Sequence, residues 1–459
     1  MQPEGVLSDA RVRVGALVGV CFLLGSTGWL AWLYQIASLA EPSMVDFYTM
    51  VLGYLSQAAG IGVYMVVRRN AGKKIVSGSV AASLLLYVLF LDPATMSDSL
   101  VPTLAFGYVM NVACGYFQGH YLTCLAELVA SNGRGIAFGG GYAASTLATW
   151  LLSGIDGGSL TTGASNLVVC VLLALIAGAC LYSVSSLDGE FEVATVADDS
   201  ALRALVVLAG ATVVVASLVK NAGFSFPTAD LSGEVDLELS RLFYGAGLVV
   251  AGIVADRDRR YVTMCCAASL AMPFLMLALS GAGASSVALW ALGYLLFGFF
   301  SVWRVILFAD LAGRSGRAWI AGASLLLGRL GDVAGTALLL ALGESAVALV
   351  TVSAVLFAVA SFLLFRLYER MYSPASGYEA TGEEGFNPLV EFCDEHGLSK
   401  REQDVLYFLL EGMANAEIAR ELSISEATAK FHVRNILKKT GCAGRNDVAK
   451  LYNKSLKGR

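Results

Sequence analysis

The chain has 459 residues, 57% of them hydrophobic and 15% charged, with a formal net charge of −5 and a mean hydropathy of +0.68. Soluble globular domains carry about 25% charged residues, so this composition excludes a wholly soluble protein and puts most of the chain in a lipid bilayer. The net charge averages two unlike parts: from Ser399 onward 12 Lys and Arg stand against 7 Asp and Glu, a balance that suits a polyanionic partner.

The first residues, MQPEGVLSDARVR, are polar and lead straight into an apolar run with no small-residue cleavage site, so the first span is expected to be retained. Counting runs of roughly 20 predominantly apolar residues predicts about twelve spanning helices. They cover 14–36, 45–67, 75–91, 101–128, 135–153, 165–185, 202–219, 237–255, 262–280, 285–308, 318–341 and 345–367. A polar interval, Ser183 to Ala201, divides them six and six.

With the N-terminus inside, the inner loops hold Arg11, Arg13, Arg68, Arg69, Lys73, Lys74, Arg134, Arg203, Arg257, Arg259, Arg260, Arg314, Arg317, Arg366 and Arg370, whereas the outer loops offer little beyond Lys220. This bias orients the bundle with both termini in the cytoplasm, and in a bacterium the membrane is the inner one. The segment AELVASNGR (Ala126 to Arg134) recurs as ADLAGRSGR (Ala309 to Arg317), each at the end of an even-numbered span, as in transporters built from two parallel repeats.

On these residues the membrane part resembles the major facilitator superfamily. GIVADRDRR, Gly252 to Arg260, is similar to that family's Gly-x-x-x-Asp-Arg-x-Gly-Arg-Arg loop, with Asp258 in place of the second glycine. The corresponding first-half loop, Gly62 to Lys74, keeps the basic residues and lacks the aspartate. The glycines of RGIAFGGGYAAS (Arg134 to Ser145) have no Lys-Ser/Thr after them and open a span, so they read as close helix packing and not as a phosphate loop.

Ionisable residues within spans cost at least ~2.5–3.5 kcal/mol on insertion scales, so they pair or line cavities. Arg329 and Asp332 lie three apart on span eleven, ~18 Å from Arg317 at 1.5 Å per residue. Arg304 on span ten, with Gln118 and His120 on span four, is expected to share a candidate ligand cavity with them. Trp29, Trp32 and Tyr34 are candidate apolar walls. An internal ion pair that fixes packing is the competing reading for Arg329 and Asp332, and packing is favoured for His120 alone. Glu127 and Asp310 are expected to pair with loop arginines. The nine cysteines show no CxxC spacing and read as buried thiols, not as a disulfide framework or metal site. No catalytic constellation, metal or cofactor is expected, and three histidines in the chain argue against histidine chemistry.

After an acidic, Pro- and Gly-containing stretch (Tyr368 to His396) that reads as a tether, the tail predicts four short helices. Ser399 and Glu402 form a capping box, Val405, Leu406, Leu409 and Leu410 follow at helical spacing, and Gly412 ends the first helix. Asn415 is expected to cap the second helix and Ser425 the third. In the third, Ala429, His432, Val433 and Ile436 make a core face while Lys430, Phe431, Arg434 and Lys438 share the opposite face. Such a helix suits a major groove about 12 Å wide, with cations reaching guanine and Phe431 a thymine methyl. Asn415, Thr428, Lys438 and Lys439 are placed for phosphates.

Residues Leu398 to Gly441 closely resemble the LuxR/GerE-type helix-turn-helix, through Arg401-Glu402, Val405-Leu406, Gly412, Asn415, Glu417-Ile418-Ala419, Leu422, Ile424-Ser425, Thr428, Lys430, His432, Asn435-Ile436, Lys438 and Gly441. Ala429 and Thr440 depart from the usual apolar pattern. The resemblance implies base reading by Lys430, Phe431 and Arg434, and a homodimer contact on the fourth helix through Val448, Leu451 and Tyr452.

The expected architecture is all-α: a polytopic membrane protein of about twelve transmembrane helices in two six-helix halves, plus a cytoplasmic four-helix DNA-binding domain. Expected boundaries are 1–185 and 202–368 for the halves, 186–201 for the cytoplasmic linker, 369–396 for the tether and 397–459 for the DNA-binding domain. Together they imply a membrane-embedded transcription regulator whose transporter-like part senses a small molecule and controls binding to double-stranded DNA. The alternative is a working transporter with an appended regulatory tail.

Overall fold

The structure, a computed structural model, describes residues 4–154, 164–187, 200–224, 237–278, 284–342, 345–372, 388–410, 413–422 and 424–457. Most of the predicted linker and tether, and Gly412 at the end of the first tail helix, lie outside the described residues. Contacts divide the chain into two compact units, Met1–Arg370 and Met371–Arg459.

Every regular element among the first unit's described residues is helical. In chain order it contains α1 (Glu4–Leu39), α2 (Pro42–Asp46), a wide π-type turn (Phe47–Gly53), α3 (Tyr54–Asn70), α4 (Lys73–Thr95), α5 (Leu100–Leu128) and α6 (Arg134–Gly154). There follow α7 (Ala164–Ser185), α8 (Ser200–Phe224), α9 (Leu237–Arg257), α10 (Arg259–Ala278), α11 (Ala284–Ser315), α12 (Ala323–Leu342, entered by a tight turn at Ala318–Gly322) and α13 (Ala346–Tyr372). Nine helical segments among the described residues are long and apolar enough to cross a membrane. The physics is the same in each: a bilayer interior offers backbone groups no water, so they must bond within the helix. Large apolar side chains such as Leu85, Val101, Val207 and Phe362 are more than 60% exposed, a surface that lipid solvates and water would not.

Glycines set how closely these helices approach. A Cβ on Gly60 of α3 would stand 2.0 Å from the carbonyl oxygen of Val112, and one on Gly115 of α5 2.0 Å from that of Gln57. The second half repeats the device. A Cβ on Gly247 of α9 would lie 2.0 Å from the Leu295 carbonyl oxygen, and one on Gly298 of α11 2.4 Å from the backbone of Gly247. Gly115 precedes Glu127 by the same interval as Gly298 precedes Asp310, so the short repeat seen in the sequence extends inward along both helices. The two halves meet where α6 packs on α9 and α3 on α12. The glycine-rich start of α6 serves these contacts: Gly139 abuts the Leu248 carbonyl of α9, and Gly141 that of Gly15 on α1.

A charged network closes one end of this unit. Arg134, buried at the start of α6, donates to the carbonyls of Ala126 and Val129 and pairs with Asp310 of α11 at 2.8 Å. Arg259 of α10 reaches the other oxygen of Asp310, also at 2.8 Å. The carboxylate of Asp256, last turn of α9, accepts the N–H groups of Gly135 (2.7 Å) and Ile136 (2.8 Å) at the N-terminus of α6. An anion there satisfies orphan donors and the helix dipole together. In the first half Glu127 pairs with Arg68. Both repeat carboxylates therefore pair with arginines, as their sequence positions suggested. Asp258, in the variant position of the loop, binds Arg260 at 2.7 Å. Burial pushes its carboxyl up, but hydrogen bonds and charge from Arg260 outweigh that and hold it below the usual carboxylate range.

Candidate DNA interface and buried ionic cluster

The second unit holds α14 (Pro388–Glu395), α15 (Lys400–Leu410), α16 (Asn415–Glu421), α17 (Glu426–Thr440) and α18 (Arg445–Lys457). Its core joins Leu389, Phe392, Cys393 and Leu398 to Val405, Leu406, Leu409, Ile418, Ala419, Ala429, Val433, Ile436 and Val448. Local chemistry sets the helix starts. Ser399 donates its N–H to Glu402 at 2.8 Å, as a capping box requires, and Ser425 accepts the Thr428 N–H at 3.0 Å.

Asn415 does not cap α16, contrary to expectation. Ala414 holds the cap position, and its N–H donates to Glu417 at 2.7 Å. The Asn415 carboxamide oxygen instead accepts from Arg445, which also donates to the Met413 carbonyl at 2.7 Å and so ties α18 to the start of α16. Arg445 is a residue that sequence reasoning missed. Gly441 ends α17 with φ +68°, the left-handed conformation that glycine adopts without a Cβ penalty.

The outward face of α17 carries Lys430, Phe431, Arg434 and Lys438, all exposed, with Phe431 at 51%. The Arg434 guanidinium lies 5.8 Å from the Phe431 ring centre. Lys430 pairs with Glu426 at 2.7 Å, but both groups are more than half exposed, so the pair is worth about 0.3–0.5 kcal/mol and yields readily to a stronger anion. Thr428 exchanges a 2.7 Å hydroxyl contact with Ser425. Lys439 is placed differently from the rest. Its ammonium sits 2.6 Å from Glu402, whose side chain is 5% exposed, and 2.9 Å from the Gly397 carbonyl. Burial pushes the Glu402 carboxyl up, yet the Lys439 ammonium and the Ser399 N–H outweigh it and hold the group below the usual carboxylate range. Lys439 thus clamps α17 to α15.

Val448 was expected at a dimer contact. It has no exposed surface and packs the unit's own core, which corrects that expectation for its side chain. Leu451 and Tyr452 are half-buried against the same core, and the Tyr452 ring meets Phe392 edge-on at 5.4 Å.

In the membrane unit the structure brings Arg329 and Asp332 together at 3.6 Å and adds a third member, Lys220 of α8, 3.1 Å from the other Asp332 oxygen. Lys220 reads in the sequence as an outer-loop residue. It lies inside α8, because that helix continues to Phe224, and this corrects the expectation. The Arg329 guanidinium lies 4.1 Å from the ring of Tyr54, which directly follows the wide turn before α3, and Trp29 stacks on Tyr54 at 6.4 Å. Arg304 rests on Phe300 at 5.4 Å, with a terminal nitrogen against the Cα of Gly328 on α12. Ser217 of α8 faces the same glycine.

The remaining expected members divide. Gln118 is buried, with its amide nitrogen 3.3 Å from the Cys114 sulfur. His120 has one ring nitrogen 3.2 Å from the Tyr64 hydroxyl and the other 3.4 Å from the Cys124 sulfur, so both are engaged within the first half and the residue packs. Trp32 donates to the Thr103 carbonyl and packs α1 on α5, while Tyr34 is 51% exposed; of the three aromatics only Trp29 approaches the cluster.

Residues 396–452 match the family model described as bacterial regulatory proteins, luxR family. They form a LuxR-type DNA-binding domain. In this domain the chain is 50% identical over 54 residues to the response regulator protein TmoT of Ectopseudomonas mendocina, 12% of this chain and 24% of that one. It is 41% identical over 63 residues to the regulatory protein SdiA of Escherichia coli strain K12, 14% of this chain and 26% of that one. The chain thus spans about a quarter of the length of the curated relatives it matches. The larger, membrane part has the major facilitator fold. The human organic anion transporter MFSD10 (TETRAN) superposes with a TM-score of 0.54 at 16% identity, covering 79% of this chain and all of that one. The transporter FucP in its outward conformation gives 0.53 at 12% identity, covering 78% and 97%. A LuxR-type domain is therefore fused to a transporter-like membrane domain.

Proposed function

We propose that this protein is a membrane-embedded transcription regulator of the bacterial cytoplasmic membrane. Its twelve-span, two-halved domain senses a small molecule, and its tethered LuxR-type domain binds promoter DNA as a homodimer. Both termini lie in the cytoplasm, in keeping with the inner-loop arginines. The observation that carries the reading is the exposed Lys430–Phe431–Arg434 face of α17, held by a capped and clamped helix in the same chain as a membrane domain with a buried ionic cluster. Direct base contact by Lys430, Phe431 and Arg434, and phosphate contact by Asn415, Thr428 and Lys438, complete the DNA interface; Lys439 serves mainly to hold it. Leu451 and Tyr452 of α18 supply the dimer contact.

A ligand alters DNA binding only through its preference for one state of the membrane domain over another. The test is genome-wide DNA capture by the full-length protein beside its Lys430→Ala/Arg434→Ala variant. Discrete promoter peaks lost in the variant support the reading, and identical profiles refute it.

A second reading, a working transporter with an appended regulatory DNA-binding tail, is favoured by the likeness to two transporters across the membrane part. Saturable uptake into vesicles that is indifferent to removal of residues beyond Tyr368 would establish it in place of the first.

A further inference from the structure

The cluster around Asp332 is out of charge balance. Lys220, Arg304 and Arg329 bring three cations to a region where, among the described residues, Asp332 is the single carboxylate in contact with them. Asp332 is 2% exposed and Arg304 8%. An ionised group held in such surroundings needs a counter-charge or hydrogen-bond acceptors, and a lone one is costly.

Lys220 and Arg329 share the two oxygens of Asp332, which satisfies one positive charge and leaves two. Among the described residues Arg304 meets no carboxylate: its Nε and one terminal nitrogen are buried without a hydrogen-bond partner there, as are Nε of Arg329, the hydroxyl of Ser217 and, its ion pair with Lys220 aside, one oxygen of Asp332. The Phe300 ring beneath Arg304 supplies a cation–π attraction that falls short of what a desolvated guanidinium requires. Lys220 and Arg304 face the same Phe300 ring, at 5.9 and 5.4 Å, because α8 and α12 are drawn together at Gly331, where a Cβ would abut the Val214 carbonyl, and because Gly328 leaves room for Arg304. From the Ser315 end of α11, Arg304 is ~17 Å along the helix at 1.5 Å per residue, well inside a hydrocarbon layer of about 30 Å. Trp29, Tyr54 and Phe300 flank the cations with aromatic surface, and the Trp29 N–H is also buried without a partner among the described residues.

We propose that Lys220, Arg304 and Arg329, with Ser217, bind the acidic group of an organic anion whose apolar body lies against Trp29, Tyr54 and Phe300. The missing negative charge is the ligand's. Carboxylate and phosphate both offer the acceptors, and a guanidinium fork suits either. Asp332 keeps Lys220 and Arg329 in place and limits the site to small net negative charge. This inference rests on the reading of the membrane domain as a sensor and names what it senses.

The experiment uses the full-length protein in lipid nanodiscs, without DNA, at constant ionic strength. Thermal unfolding is followed with benzoate and phenyl phosphate as probes, and with neutral benzamide and cationic benzamidine as matched controls. Saturable stabilisation by benzoate, phenyl phosphate or both, with none from the controls, is the expected result, and the stronger of the two identifies the acidic group. Arg304→Gln and Lys220→Met should each weaken apparent affinity at least tenfold, while Arg304→Lys retains part of it. Without ligand, Arg304→Gln should melt no lower than the parent, since it removes an uncompensated charge. The proposal is overturned if no anion stabilises the protein, if benzamide does so equally, or if Arg304→Gln leaves the anion response unchanged. Anion binding without any change in reporter transcription would refute the sensor reading and leave this inference standing.

Discussion

Removing the Arg434 side chain isolates what the exposed face of α17 does. Its contacts within the unit are slight: a cation–π approach of 5.8 Å to the Phe431 ring, worth about 0.5–1 kcal/mol at an exposed site. Arg434→Ala should therefore leave the fold nearly unchanged. On DNA the expectation is larger, because a good base-edge contact contributes about 1–3 kcal/mol of discrimination, or roughly 5- to 150-fold. The operator is first selected from a random duplex pool with full-length protein, and binding is then measured by fluorescence anisotropy at several salt concentrations. Arg434→Ala should lose affinity for the selected site while keeping that for scrambled duplex, with little change in salt dependence. Lys438→Ala, at a phosphate position, should weaken both and reduce the slope of log affinity against log salt by about 0.9. If Arg434→Ala still discriminates the selected site from scrambled duplex as the parent does, this face does not read sequence and the placement of α17 in the groove is wrong.

Glu402→Gln should destabilise the DNA-binding unit by about 1–3 kcal/mol, because it strips charge-assisted bonds from a nearly buried clamp; urea unfolding of a fragment beginning at residue 386 measures it. The sign of the pH effect follows from the depressed folded pKa of Glu402. Its contribution is complete above the unfolded value of about 4.3 and is lost as pH falls through the lower folded value, so parent and variant should converge in acid. Gly441→Ala, at φ +68°, should cost about 1–2 kcal/mol in the same assay, and Gly441→Asn less. Gly115→Leu should prevent assembly of the membrane unit, read as loss of the monodisperse peak in detergent chromatography, since the α3–α5 crossing has no space at that carbon. Asp256→Asn should raise hydrogen exchange at the Gly135 and Ile136 amides by roughly 10- to 100-fold, given about 1.5–3 kcal/mol for bonds to a charged acceptor.

What was legible in the sequence was local or periodic. Ser399 with Glu402, Ser425 with Thr428, and the alternation of buried Ala429, Val433 and Ile436 with exposed Lys430, Phe431 and Arg434 all act within one helical turn or two. The α16 cap failed by a single position, since Glu417 sits three residues after Ala414 and not after Asn415. Val448 misled for a related reason: an apolar residue on a helix face does not announce whether its own core or a second copy will cover it. The cluster was half visible. Arg329 and Asp332 are three apart, but Lys220 joins them across more than a hundred residues, and Arg304 arrives on a third helix. His120 found its partners, Tyr64 and Cys124, inside the first half, where chain spacing gave no warning of a phenol. Nothing in the sequence indicated that Gly328 and Gly331 would shape the floor beneath these cations.

The carboxylate of Asp256 has a bearing on how the two halves can part. It holds two backbone amides of α6 from the last turn of α9, beside an arginine pair that grips Asp310 from both sides. Separating the two would bare a helix end and a carboxylate in one step, and water would have to reach both. Unlatching that end would therefore expose both groups together. A ligand could shift such an equilibrium only by the ratio of its affinities for the two arrangements, however tightly it binds either one.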